Sequence, residues 1–216
     1  MAARKHQQTV DTLLDKAGTT YAEEAGIRLK DTPAALFQLL VLSLLLSARI
    51  SADIAVAAAR EVRTAGFTTS RKMADAPRQE LIAALGRGHY VRYDESTATA
   101  LVDTAAMLEE RYGGDLRKLV GDEPNARDVA AKLQQFKGIG RVGADIFLRE
   151  VQDVWTWVRP YFDRKATKSA DALGLPTDPD ELAKLALSGG SARLAAALVR
   201  VSLDKKLRAG IDAERS

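Results

Sequence analysis

One short stretch constrains this chain more than any other: Phe136-Lys137-Gly138-Ile139-Gly140-Arg141-Val142-Gly143-Ala144-Asp145. Helical patterns flank it. Upstream, Ala130, Leu133 and Phe136 recur at helical spacing; downstream, Ala144, Phe147, Leu148 and Val151 do the same. Two helices joined so closely need a very tight reversal, and Gly138 and Gly140 can take the positive φ that allows it. The second helix then starts near Arg141. Its first N–H groups lack intrahelical acceptors and carry the positive end of the dipole. A phosphate fits there. Gly143, without a Cβ, is expected to let a phosphate backbone approach, and Arg141 either adds charge there or is a solvated first-turn arginine. The whole reads as a grip on one nucleic-acid phosphate that is blind to sequence. The competing reading is a glycine turn between two packed helices.

Alanine and leucine dominate the 216 residues and β-branched runs are scarce, which favours an all-α protein. A formal net charge of +3 is compatible with a nucleic-acid partner without requiring one. Cysteine is absent, which excludes disulfides, thiolate catalysis, zinc–cysteine sites and iron–sulfur clusters. The two histidines, His6 and His89, are too far apart for a convincing metal site. The first eight residues are polar and lack the apolar core of a secretory signal. The longest apolar run, Leu39 to Ala48, is broken by Ser43 and Ser47 and is too short to span a bilayer. A cytoplasmic protein with no membrane partner is expected.

The pattern predicts an opening helix over 6–17. Thr32 as N-cap and Pro33 at the first helical position start a buried helix to about Ala48. Ser51 caps the next, which stops at Gly66. Short helices follow near 70–75 and 77–86, then a long one over 94–111 closed by Gly113-Gly114. After the hairpin, spanning about 127–152, comes an aromatic loop with Trp155, Trp157, Pro160, Tyr161 and Phe162. A helix beginning at Asp163 ends at Gly174, and two final helices are expected over 179–187 and 190–208.

Asp163 sits where a loop becomes a helix. It is read first as an N-cap for the N–H groups of Lys165 or Ala166. A helix N-terminus also favours an ionised carboxylate, so a cap and an electrostatic catalyst are compatible. Asparagine caps equally well, so Asp163→Asn is expected at this point to cost little stability.

Three segments then resemble the helix-hairpin-helix DNA glycosylases, the superfamily of endonuclease III and 3-methyladenine DNA glycosylase II. Leu44-Leu45-Leu46-Ser47-Ala48-Arg49 is like the family's L-L-S-A-Q. Lys137 to Ala144 is like P-G-V-G-R-x-T-A. Phe162-Asp163-Arg164-Lys165 leading to Ala170-Asp171-Ala172-Leu173-Gly174-Leu175 is like V-D-T-H leading to A-N-R-L-G-L. Order and rough spacing agree over about residues 30–200.

The resemblance implies a two-lobed all-α fold with an interdomain cleft. A barrel domain over 34–152 would carry the hairpin, and residues 1–33 with 153–216 would form the second domain. It implies a monomeric enzyme acting on duplex DNA that contains a damaged base. Asp163 takes the catalytic position. Lys137, Gly138, Ile139, Gly140, Arg141, Val142 and Gly143 take the DNA-binding hairpin. Arg49 takes the place of a wedge that fills the hole left by a flipped base, or is a solvated arginine between helices. Trp155, Trp157 and Tyr161 either line the base pocket or pack their loop. No cofactor is implied beyond a monovalent cation on hairpin carbonyls, and no side chain is expected to bind metal.

Val142 stands where bifunctional relatives carry a Schiff-base lysine, and the family's iron–sulfur cluster has no cysteines here. Arg49 replaces the family glutamine. These departures point to a monofunctional glycosylase. A glycosylase/AP lyase using Lys165 or Lys137, and a non-catalytic hairpin DNA-binding protein, are the alternatives.

Overall fold

The computed structural model describes residues 2–186 and 190–214, and among these there are helices and no strand. Thirteen α-helices are described: α1 (Ala2–Ala17), α2 (Tyr21–Glu24), α3 (Pro33–Ser47), α4 (Ala52–Thr64), α5 (Ser70–Ala74), α6 (Arg78–Arg87), α7 (Asp94–Tyr112), α8 (Ala126–Leu133), α9 (Arg141–Val151), α10 (Arg164–Ala172), α11 (Pro179–Ala186), α12 (Ser191–Leu203) and α13 (Lys205–Glu214). Two 3₁₀ turns, Leu116–Leu119 and Thr156–Val158, complete the set. Among the described residues no single helix is long and apolar enough to cross a membrane.

The chain divides into two compact units. One is Ala22–Leu148; the other joins the residues up to Tyr21 to those from Arg149 onward.

In the unit Ala22–Leu148, α3 is the centre. Its sequence is apolar nearly all round, and Leu36, Leu39, Leu40, Leu42 and Leu45 are each fully buried. Ser43 tolerates this setting because its hydroxyl donates to the Leu39 carbonyl at 2.8 Å. The helix α4 packs on α3, α6 on α4, and α7 on both α5 and α6. Thr32 does occupy the N-cap of α3, but its side chain makes no cap bond. Pro33, whose fixed φ suits the first turn, sets the start instead. Gly113 ends α7 in the left-handed conformation at φ 58°.

In the other unit, α12 is central, with Leu194, Ala195, Ala196, Ala197 and Leu198 fully buried and α1, α10, α11 and α13 packed around it. The opening helix starts at Ala2 rather than at 6. The expected single helix over 190–208 is two. Asp204 interrupts it and caps α13, its Oδ1 accepting from Lys206 N at 2.8 Å and Leu207 N at 3.0 Å. An aspartate that offers its own backbone a cap outcompetes continuation of the helix. The expected helix over 179–187 ends at Ala186, and residue 187 lies outside the described residues.

Candidate functional site

The joint between α8 and α9 is as tight as its glycines suggest. Asn125 starts α8, its Oδ1 accepting from Arg127 N at 2.8 Å and Asp128 N at 3.3 Å. After Leu133 the chain reverses, with Ile139 N donating to the Phe136 carbonyl at 3.0 Å. Gly138 has φ 82°. A Cβ there would lie 3.2 Å from Leu44 Cδ1 and 3.4 Å from Ala100 Cβ. Gly138→Ala is therefore expected to lose about 2 kcal/mol, combining left-handed strain with crowding. The check is a lower urea midpoint at unchanged slope.

The other two glycines behave differently from expectation. Gly140 is not at positive φ, so Gly138 alone supplies the left-handed residue of the hairpin. A Cβ on Gly140 would meet nothing within 4 Å, so its face is open. Gly143, expected to admit a phosphate, faces inward: a Cβ there would meet Ile139 side-chain carbons at 3.4 Å and the Ser43 carbonyl at 3.6 Å. It lets the hairpin close on α3. Ile139 is 3% exposed and its N–H is used inside the turn, so it clamps the hairpin rather than reaching DNA through its side chain.

The Ala144 N–H reaches back into the hairpin and donates to the Gly140 carbonyl at 3.0 Å, closing the first turn of α9. The preceding N–H groups form the helix N-terminus beside the open face of Gly140. Arg141 is exposed and only 3.9 Å from Asp145, a loose pair on the same helix. Lys137 Nζ sits 2.5 Å from Asp103 Oδ2 in an exposed pair. Such pairs hold weakly, so both cations remain available to a phosphate. Val142 is 61% exposed and carries no amine. The Lys137 carbonyl accepts from Thr104 Oγ1 at 2.8 Å, whereas the Ser47 hydroxyl donates to the Leu44 carbonyl at 2.8 Å and lies 3.4 Å from the Gly138 carbonyl. A monovalent cation on these carbonyls would share that of Lys137 with the Thr104 hydroxyl.

Beside the hairpin, within the same unit, lies a hollow of about 360 Å³. Arg49, Tyr90, Tyr93, Thr97 and Gly138 line it. Arg49 is exposed at its edge. Tyr90 is fully buried, and burial pushes its phenol above the ordinary range, against a hydrogen bond from Thr97. The loop from Gly88 to Tyr93 passes alongside. It presents Val91 at 64% exposure and Arg92 5.2 Å over the Tyr93 ring. Sequence reasoning passed over this loop. The signal was Gly-His-Tyr-Val-Arg-Tyr, aromatic and basic residues interleaved between two helices.

In the other unit, Asp163 is the N-cap of α10. Its Oδ1 accepts from Lys165 N at 2.8 Å and Ala166 N at 2.9 Å. Its Oδ2 is bound by Nη1 of Arg149, from the last turn of α9. The two are 8% and 3% exposed. Arg149 was not anticipated: on an amphipathic helix a lone arginine reads as solvated.

Gln152, one turn on, holds the approach to Asp163. Its Nε2 donates to the Tyr161 carbonyl at 2.9 Å and to the Arg149 carbonyl at 3.0 Å, and its Oε1 accepts from Tyr161 N at 2.9 Å. Tyr161 is half-buried. Trp155 is 4% exposed and stacks on Trp157 at 5.5 Å between ring centroids. It packs its loop and offers no free face to a base; Trp157 is half-buried.

No family model and no curated protein matches this chain. Among solved structures it is similar to a chain described as a trapped endonuclease III–DNA covalent intermediate, an estranged-adenine complex. The likeness has a TM-score of 0.48 and 16% identity, and covers 89% of this chain and 84% of that one.

Proposed function

We propose that this protein is a monofunctional DNA glycosylase of base-excision repair. It hydrolyses the N-glycosidic bond of a damaged or mismatched base in duplex DNA and leaves an abasic site. One observation supports the reading most: Asp163, a buried carboxylate at the N-terminus of α10, is held by its two helix N–H groups and by the Arg149 guanidinium.

In the proposed reaction the hairpin N–H groups at Gly140 and Arg141 hold one phosphate. The target nucleotide leaves the stack, and Arg49 fills the space it vacates. The Gly88–Tyr93 loop adds stacking surface through Tyr93 and apolar contact through Val91. As the bond from sugar C1′ to the base nitrogen breaks, positive charge develops on the sugar. Asp163 stabilises that charge and accepts a proton from the water whose oxygen bonds to C1′, while the base departs with the bonding pair and takes up a proton from solvent. No step uses a metal or an amine of the protein.

The position of Val142 makes a prediction. Borohydride added during incubation with a duplex carrying the susceptible lesion should trap no covalent protein–DNA adduct, since no Schiff base can form at residue 142. A trapped adduct would refute monofunctional chemistry and direct attention to Lys165 or Lys137.

The burial of Asp163 favours a second reading, a non-catalytic hairpin protein in which the Arg149–Asp163 pair only holds the fold. Base release separates the two: the first reading requires it and the second forbids it.

A further inference from the structure

Asp163 is held on three sides. A carboxylate offers about four acceptor positions, two on each oxygen. Lys165 N and Ala166 N occupy Oδ1 at 2.8 and 2.9 Å. Arg149 Nη1 occupies one position on Oδ2. One acceptor direction is left, on Oδ2, and the contact with Arg149 fixes which way it points.

Arg149 is a costly way to build a core. Its Nε is buried and has no hydrogen-bond partner among the described residues. The reason is geometric: a two-pronged grip needs both carboxylate oxygens, and Oδ1 is committed to the helix N-terminus. An unpaired buried donor weakens the fold, and a well-packed apolar residue is often as stable or better in place of a buried ion pair. What a methionine or leucine could not do is fix a carboxylate in one rotation. Gln152 acts with it, fastening both backbone groups of Tyr161 two residues before Asp163.

We infer that Arg149 is a positioning residue that sets the orientation of the Asp163 carboxylate, so that its one free acceptor direction meets the attacking water. The inference rests on the proposed role of Asp163 in base release. Arg149 touches neither substrate nor water; it acts through Asp163.

The test compares wild type, Arg149→Met and Arg149→Lys. On the lesion that wild type processes, the single-turnover rate of Arg149→Met should fall about 30-fold at saturating enzyme, with duplex affinity changed less than about twofold. Arg149→Lys keeps a charged donor and should recover to within about fivefold of wild type. A purely structural role predicts no such rescue pattern in a folded variant at a temperature well below unfolding.

Amide hydrogen exchange gives a readout independent of activity. In Arg149→Met, exchange at Ala166 should accelerate about tenfold, while core amides of α12 from Leu194 to Val199 stay unchanged. Unchanged rate and unchanged exchange at Ala166 in a folded Arg149→Met overturn the inference. If Asp163→Asn releases base like wild type, the glycosylase role of Asp163 falls, and exchange at Ala166 still decides whether Arg149 orients the side chain. Should Arg149→Met not fold, guanidinium NMR of the wild-type protein decides: hindered rotation of the Arg149 Nη groups supports the anchor, and free rotation overturns it.

Discussion

Asp163→Asn is expected to slow single-turnover base release by about 100-fold or more, the usual cost of removing one electrostatic stabiliser of a transition state. Asparagine can still cap α10 through its carbonyl oxygen. The stability cost is not small, however, contrary to what the cap alone suggests. Arg149, 3% exposed, would lose its counter-charge. Breaking a buried ion pair from one side costs about 3–5 kcal/mol. Thermal unfolding should therefore show a large drop for Asp163→Asn. In Asp163→Asn/Arg149→Met, where both charges are gone, much of that stability should return while activity does not. If the double variant regains activity along with stability, Asp163 is a structural anchor and the catalytic assignment is wrong.

Gly140→Asp is expected to weaken binding to an undamaged duplex by at least about tenfold, or about 1.4 kcal/mol. The site lends itself to this test. A Cβ on Gly140 meets nothing within 4 Å, so the fold has room for the new side chain. What changes is the space in front of the helix N-terminus, where a carboxylate would take the place of the DNA phosphate and repel it. The check is duplex affinity at one fixed salt concentration, together with an unchanged unfolding temperature. Wild-type affinity in the folded variant would contradict the hairpin assignment.

The sequence made the hairpin legible because its signal is local. Glycine between helical patterns specifies the reversal without reference to anything distant, although Gly138 alone takes the positive φ, and the start of α9 at Arg141 follows. Asp163 was legible as a cap for the same reason, and its Oδ1 takes the two N–H groups foreseen. Contacts between distant residues were not legible. Arg149 lies 14 positions before Asp163, and nothing in the period of α9 says that this arginine turns inward. Gly143 was read as an opening to a phosphate backbone because a missing Cβ looks the same whether the close neighbour is a phosphate or Ile139. Trp155 and Trp157 were left open between pocket and packing; Trp155 is buried against Trp157, which is half-buried. The break at Asp204 was missed because apolar spacing continues through it, while the cap that causes it is one side chain.

Base release is what separates a glycosylase from a hairpin protein that only binds DNA. The direct measurement is a panel of duplexes, each with one defined alkylated, oxidised, deaminated or mismatched base, incubated with excess protein and assayed for free base and for abasic sites. At least one duplex is expected to yield free base and an abasic site in equal amounts, without strand cleavage until alkali or heat is applied. A protein that binds these duplexes and releases no base from any of them would contradict it.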